Sequence, residues 1–192
     1  HEFSGIDKQP QPFIDVAAPG PHYGDGSGVH GDIIGDTQHH GGNDKAIYAY
    51  AREELNYWQS ELSRPLASGC FGENLTTQGV DLSALLINQR LRIGTAVLEV
   101  SVPRQPCSTF AGWLGERGWL KRWTARGDCG TYLRIISPGR IQPGDSITID
   151  APPNHDITMR ITFAAKMGNR TLAQRVIEAG CLPPHQNNSL RA

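Results

Sequence analysis

Ala96-Val-Leu-Glu-Val100-Ser-Val-Pro-Arg-Gln-Pro-Cys107 is the stretch on which the reading of this chain turns. Ala96, Leu98, Val100 and Val102 alternate with other residues in the period-two pattern of a half-buried strand. Pro103 cannot continue a ladder, and Pro106 keeps the exit extended. Cys107 therefore stands at the mouth of a strand, with Arg104 as its nearest charge in sequence. A cation beside a thiol favours the thiolate, which is both a nucleophile and a metal ligand. A free cysteine is just as often a small buried residue without chemistry. The stretch alone leaves both readings open.

Outward from this point, the 192 residues suit one domain, at roughly 100–200 residues each, with enough chain to bury a core. The formal net charge of -1 argues against a nucleic-acid-binding surface. Glycine and proline occur 22 and 13 times. Beside short apolar runs, this favours a strand-rich fold with many turns. Cys70, Cys107, Cys129 and Cys181 show no C-x-x-C spacing and no disulfide framework, so a reducing cytoplasm is expected. No apolar run is long enough to span a bilayer, so no membrane partner is expected, and no signal peptide is read. His1-Glu2-Phe3 reads as a tag remnant, residues 4–182 as the domain and 183–192 as a frayed tail.

Along the chain, Phe13–Val16 reads as a short strand and Pro19–Gly28 as a loop rich in turn signals. Ile47, Tyr50, Ala51, Leu55, Trp58 and Leu62 recur at helical spacing, with Asn43 or Asp44 as N-cap and a stop before Pro65. On that reading His39, His40, Gly41 and Gly42 form a turn at a helix N-terminus, where backbone N–H groups favour an anion. An ordinary helix entry with two solvated histidines explains the same pattern. Gly69–Gly79 encloses a short extended piece carrying Glu73 and Asn74, which either face a ligand or stitch a turn. The form of Asp81–Ile87 stays open. Phe110–Leu114 and Trp119–Thr124 read as helical turns, with Lys121, Arg122 and Arg126 on an electropositive rim or a solvated face. Thr131–Ser137 and Asp145–Asp150 read as strands, with turns at Pro138-Gly139 and Pro143-Gly144-Asp145. Ile157, Met159, Ile161 and Phe163 alternate like a further strand. Thr171-x-x-Gln174 is a capping box for a helix from Leu172 to Ala179, closed by Gly180.

In order and spacing these stretches resemble the MOSC domain family (molybdenum cofactor sulfurase C-terminal domain), closest to its YiiM-like hydroxylaminopurine-resistance branch. The resemblance rests on Ser4-Gly-Ile-Asp-Lys8, His40-Gly-Gly with Asp44-Lys-Ala-Ile-Tyr-Ala-Tyr50, and Phe71-Gly-Glu-Asn-Leu75. It continues through Pro103-Arg-x-Pro-Cys107, Gly130-Thr-Tyr132, Gly144-Asp145 and the C-terminal helix. The loop Pro19–Gly28 belongs to no pattern of that family. The resemblance implies a mainly β, β-barrel-like MOSC fold with peripheral helices. It also implies a pocket for a molybdenum cofactor (Mo-pterin), and it carries an association with pyridoxal phosphate binding.

By position in the resemblance, Cys107 is the expected metal ligand, and His40 and Asn74 join it as catalytic residues. Arg104, Lys45, Lys8, Gly41, Gly42 and Glu73 are expected to bind the cofactor, with Lys121 and Arg122 as further candidates for its phosphate. A thiolate suits a thiophilic metal already chelated by sulfur. The implied reaction reduces an N-hydroxylated small molecule, such as a hydroxylaminopurine-type base, to the amine. It consumes two electrons from a donor protein and two protons. His40 would protonate the departing oxygen and Asn74 would orient substrate or histidine. Three other readings stand beside this one. Cys107 could carry a persulfide for transfer, the domain could deliver the cofactor without turnover, or Cys107, His40 and Asn74 could form a hydrolase. Nothing in the sequence supplies the oxyanion hole that the last would need. A homodimer is compatible with all of them.

Overall fold

The computed structural model describes residues 5–35, 37 and 40–191. The first strand, β1 (Ile14–Val16), leads into the long loop 17–46, which closes with a 3-10 turn at Asn43–Lys45. Then come β2 (Ile47–Ala51), α1 (Arg52–Leu62), β3 (Leu75–Thr77), β4 (Arg90–Ile93) and β5 (Ala96–Val100). Helices α2 (Ser108–Leu114) and α3 (Trp119–Arg126) separate these from β6 (Thr131–Ser137), β7 (Gly139–Ile141) and β8 (Ile147–Ile149). Three helices follow: α4 (Met159–Lys166), α5 (Arg170–Ala179) and α6 (Pro184–Asn188).

Six strands form one curled, half-barrel sheet in the order β3-β2-β6-β5-β4-β8. Only β2 and β3 run parallel, joined through α1, as a parallel pair requires. β1 and β7 pair separately as an antiparallel ribbon. This is the mainly β architecture with peripheral helices that the sequence suggests. Among the described residues no helix is long and apolar enough to cross a membrane.

Five local expectations are corrected. Ile47–Ala51 is strand β2, lying between β3 and β6 in the sheet, and the helix begins only at Arg52. All five strand residues are buried. A strand covered on both faces reads as an unbroken apolar run, which helical spacing also fits. His40-Gly41-Gly42 therefore precedes a strand, and the helix-dipole argument for anion binding there is lost. Second, Ile157–Phe163 belongs mostly to helix α4. Thr158 Oγ1 caps it by accepting from Ile161 N at 3.2 Å. Met159, Thr162 and Phe163 share its buried face, and Thr162 resolves its burial by donating to Thr158 O (3.0 Å). Alternation failed because this threonine is interior. Third, Asn169 caps α5 by accepting from Leu172 N at 3.1 Å, in place of the box at Thr171. Gly180 ends that helix at φ +59°, as expected. The segment after Pro183, expected to fray, forms α6, and Pro138-Gly139, read as a turn, runs into β7.

The core centres on Trp58, Trp119, Trp123, Tyr50, Phe71 and Phe110, with neighbouring ring centroids 4.6–6.2 Å apart. Edge-to-face and stacked pairs of this kind contribute about 0.5–1.5 kcal/mol each beyond area burial. Trp58 Nε1 donates to Tyr50 Oη (3.1 Å). Leu55 of α1 is fully buried in the same core. This aromatic block fixes Phe71 and Phe110, and both then shape the surroundings of Arg104.

Candidate active site

Cys107 ends the extended run that follows β5 and stands at the N-cap of α2, half-buried. Arg104, three residues earlier, turns inward and is only 6% exposed. Its guanidinium lies 4.2 Å from the Phe110 ring centroid and 4.7 Å from that of Tyr48, and it donates to Phe71 O. Burial works against the Arg104 charge, but Tyr48, Tyr132 and Cys107 outweigh it and raise its pKa. Cys107 acts electrostatically on both Arg104 and Tyr132.

Tyr132, the second residue of β6, is the hub. Its ring lies 5.2 Å from that of Tyr48, and its hydroxyl is 3.5 Å from His40 Nδ1. Lys45 Nζ is 5.7 Å from the Tyr132 ring and 4.6 Å from that of Tyr23. Burial pushes the Tyr132 phenol upward, with Arg104 pulling the other way, so it stays protonated. Tyr48 is raised far more, again chiefly by burial, and donates to Cys129 O (2.8 Å). One thiol, one imidazole, one buried guanidinium and one ammonium thus converge on two neutral phenols.

Gly41 and Gly42 shape this site through the backbone. Both have positive φ, and a Cβ on Gly42 would stand 2.2 Å from His22 O. Gly42 N donates to Gly26 O (3.0 Å) and His40 O accepts from Gly24 N (3.0 Å). The loop Pro19–Gly28 therefore packs on the histidine turn and brings Tyr23 to Lys45. His39 lies outside the described residues.

Other expected residues gather elsewhere. Asn74 Oδ1 accepts from Tyr48 N (3.0 Å), its Nδ2 donates to Asp32 (2.8 Å), and its own N–H donates to Tyr48 O (2.8 Å). Both ends of the amide are committed, and Asn74 reaches the site only by pinning Tyr48. Lys8 pairs with Asp32, which also accepts from Ser27. Glu73, 2% exposed, accepts from Gly69 N, Phe71 N and Thr76 Oγ1. Lys8, Glu73 and Asn74 line a separate cavity of about 1250 Å³, bordered by the edge strands β3 and β8. Lys121 is exposed, and Arg122 pairs with Glu61 at 3.4 Å on the outer surface. Tyr48, Tyr132 and Tyr23 had no assigned role in the sequence reading. The alternating aromatics of Ile47-Tyr-Ala-Tyr-Ala51 were the available signal for Tyr48.

The remaining thiols are poor ligands. Burial, then Glu73, pushes Cys70 up to about 12, and burial also raises Cys129 and Cys181. Among the described residues, no three His, Cys, Asp or Glu side chains converge to hold a metal on protein ligands alone. The donor set fits a metal that arrives already chelated and takes one thiolate from the protein. The nearby cations suit an anionic cofactor.

The fold is a curled β half-barrel with a half-buried thiol near a cluster of tyrosines and cations. The chain belongs to the MOSC domain family, which it matches over residues 36–148, and it is associated through that family with the molybdenum cofactor. Within the family it is similar to the YiiM-like branch. It matches the crystal structure of YiiM from Geobacillus stearothermophilus with 28% identity and a TM-score of 0.70, over 78% of each chain. It is 33% identical to the uncharacterized protein YflK of Bacillus subtilis, over 79% of this chain and 70% of that protein. It is also 31% identical to a protein named reductase from Gibberella moniliformis, over 68% of this chain but 24% of that protein.

Proposed function

We propose that this protein reduces N-hydroxylated small molecules, such as hydroxylaminopurine-type bases, with the molybdenum cofactor bound at Cys107. The observation that carries the reading is the convergence of Cys107, Arg104, His40 and Lys45 around Tyr132. The name of the Gibberella relative supports a reductase role in the same direction. When bound, the cofactor supplies the two-electron redox chemistry, and the protein supplies orientation and electrostatics.

Cys107 is the protein ligand, and Arg104 holds positive charge beside its sulfur without a competing carboxylate. Lys45 offers a cation to anionic parts of cofactor or substrate. His40, whose Nδ1 lies 3.5 Å from the Tyr132 hydroxyl, is the candidate to hand a proton to the departing hydroxyl oxygen. Overall, an N–O bond breaks, and two electrons and two protons convert the N-hydroxyl compound to amine and water. The electrons come from a partner protein.

The test is metal analysis of protein made in a host that synthesises the cofactor, comparing the parent with Cys107→Ser. The parent should hold molybdenum and reduce an N-hydroxylated base with a chemical electron donor, and the variant should lose both. Equal molybdenum in the two would remove the proposed ligand. Molybdenum without turnover would replace reduction by cofactor delivery, and a persulfide at Cys107 without metal would replace it by sulfur transfer.

A further inference from the structure

Cys107 is the N-cap of α2, so the helical hairpin α2–α3 begins at the proposed metal ligand. Both helices bury one face in the same aromatic block. The Phe110 ring of α2 lies 5.3 Å from that of Trp119 and 5.0 Å from that of Trp123, both on α3. The outer side of the hairpin is bare. Gly112 and Trp113 of α2 are exposed, as are Arg117 in the turn and Leu120 and Lys121 of α3. Trp113 is 43% exposed, yet its indole is held, because Nε1 donates to Cys70 O (2.8 Å). An indole fixed in place and open to water is the type of side chain that anchors protein interfaces.

The charges of the hairpin do not balance. Arg64 pairs with Glu116 (3.5 Å), Arg122 with Glu61 (3.4 Å) and Arg126 with Glu54 (2.6 Å). Glu116 is the one acid between Cys107 and Gly127, and it is spent. Arg117 and Lys121 are left without a carboxylate partner among the described residues. A surplus of two cations therefore stands near a fixed indole, on a protein whose formal net charge is -1.

Gly112 is a separate observation. It stands in the middle of a helix, where glycine costs about 0.5–1 kcal/mol against alanine. Nothing lies within 4 Å of the position its Cβ would take. The fold itself has no need of bare backbone there, whereas a second protein approaching closely would.

We infer that the outer side of α2 and α3 is the docking surface for an acidic electron-transfer protein. This rests on the proposed function, which draws its electrons from a partner. Trp113 is six residues from Cys107, about 9 Å of helix axis. A donor seated there reaches the metal ligand from outside and leaves the pocket to substrate. Two unpaired cations suit the steering and fast release of a transient acidic partner. They fall short of the cluster of about 4–8 Lys and Arg that recognises anionic lipid.

The probe is an acidic flavodoxin, whose hydroquinone passes on one electron and becomes the semiquinone, so two encounters supply one turnover. With the whole chain made without cofactor, nitrogen–proton NMR should show saturable shifts at the amides of α2 and α3, weakened by salt. Arg117→Glu and Lys121→Glu should each weaken binding about fivefold or more. Arg191→Glu, the same charge change beyond α6, should leave it within about twofold. Gly112→Gln should raise the melting temperature through better helix propensity and still weaken binding, a combination that a folding defect cannot produce. Shifts that map elsewhere, no binding, or unchanged affinity in the charge-reversed variants overturn the inference. So does a hairpin that binds phosphatidylserine vesicles or a second copy of this chain in place of flavodoxin. With cofactor-loaded protein, Lys121→Glu should keep the parent rate with reduced methyl viologen and fall about fivefold or more with reduced flavodoxin. Loaded protein inactive with both donors would sink the proposed function, and the NMR map without cofactor would still decide the docking surface.

Discussion

Replacing Asp128 with asparagine should change how this protein's stability depends on pH. Asp128 follows the C-cap of α3, is 8% exposed, and leads directly into the strand that carries Tyr132. Burial, then repulsion by Glu54, pushes its carboxyl up to about 6, against weak help from Gly130 N (3.5 Å) and Arg160 (3.8 Å). The reference value is 3.8. Between the two values the folded chain holds more protons than the unfolded one, so stability falls as pH rises through that window. A difference of about two pKa units corresponds to about 3 kcal/mol. This contribution is fully present below about pH 4 and lost above about pH 6. Asp128→Asn cannot titrate, so its stability relative to the parent should rise by about 3 kcal/mol between pH 4 and pH 7.5. Urea unfolding of both proteins across that range measures the difference, in which titrating groups not coupled to Asp128 cancel. A difference that stays constant with pH would refute the assignment of a raised, burial-driven carboxyl at this position.

Four other outcomes follow. Gly130→Ala should cost about 2–4 kcal/mol in urea melts, because φ is +65° and the new Cβ would meet Ala49 O at 2.3 Å. Gly144→Ala, at φ +91° in open space, should lose only about 1–2 kcal/mol. Asn74→Ala should cost about 1–3 kcal/mol and speed hydrogen exchange at the Tyr48 amide, which loses its acceptor. Tyr132→Phe should leave stability within about 1 kcal/mol and molybdenum content unchanged, while the reduction rate falls and its pH profile moves.

Part of the sheet was legible because β4 and β5 keep a period of two on either side of the turn at Gly94. The strand Ile47–Ala51 was hidden by its own burial, since a strand covered on both faces loses the polar alternation that marks it. Thr162 hid α4 in the opposite way, by placing an internally satisfied hydroxyl where a polar surface was expected. Cys107 and Arg104 were readable as a pair because four residues of proline-stiffened chain hold them together. Glu73 stitches its own turn through groups two to four residues away, one of the two readings the sequence left open, whereas Asn74 bonds to Tyr48 and Asp32, which only the folded chain brings near. The role of Tyr132 depends on partners more than eighty positions away, which no local pattern reports.

That distance has a consequence for assembly. His40 and Tyr132 are separated by 92 positions, Asp44 and Arg134 by 90, and Tyr48 and Cys129 by 81. On a ribosome, the histidine turn and β2 emerge long before the strand that completes the pocket. Until β6 threads between β2 and β5, the thiol has no cationic companions held in place and the phenols have no shared interior. The full set of contacts around Tyr132 thus exists only once β6 is in place.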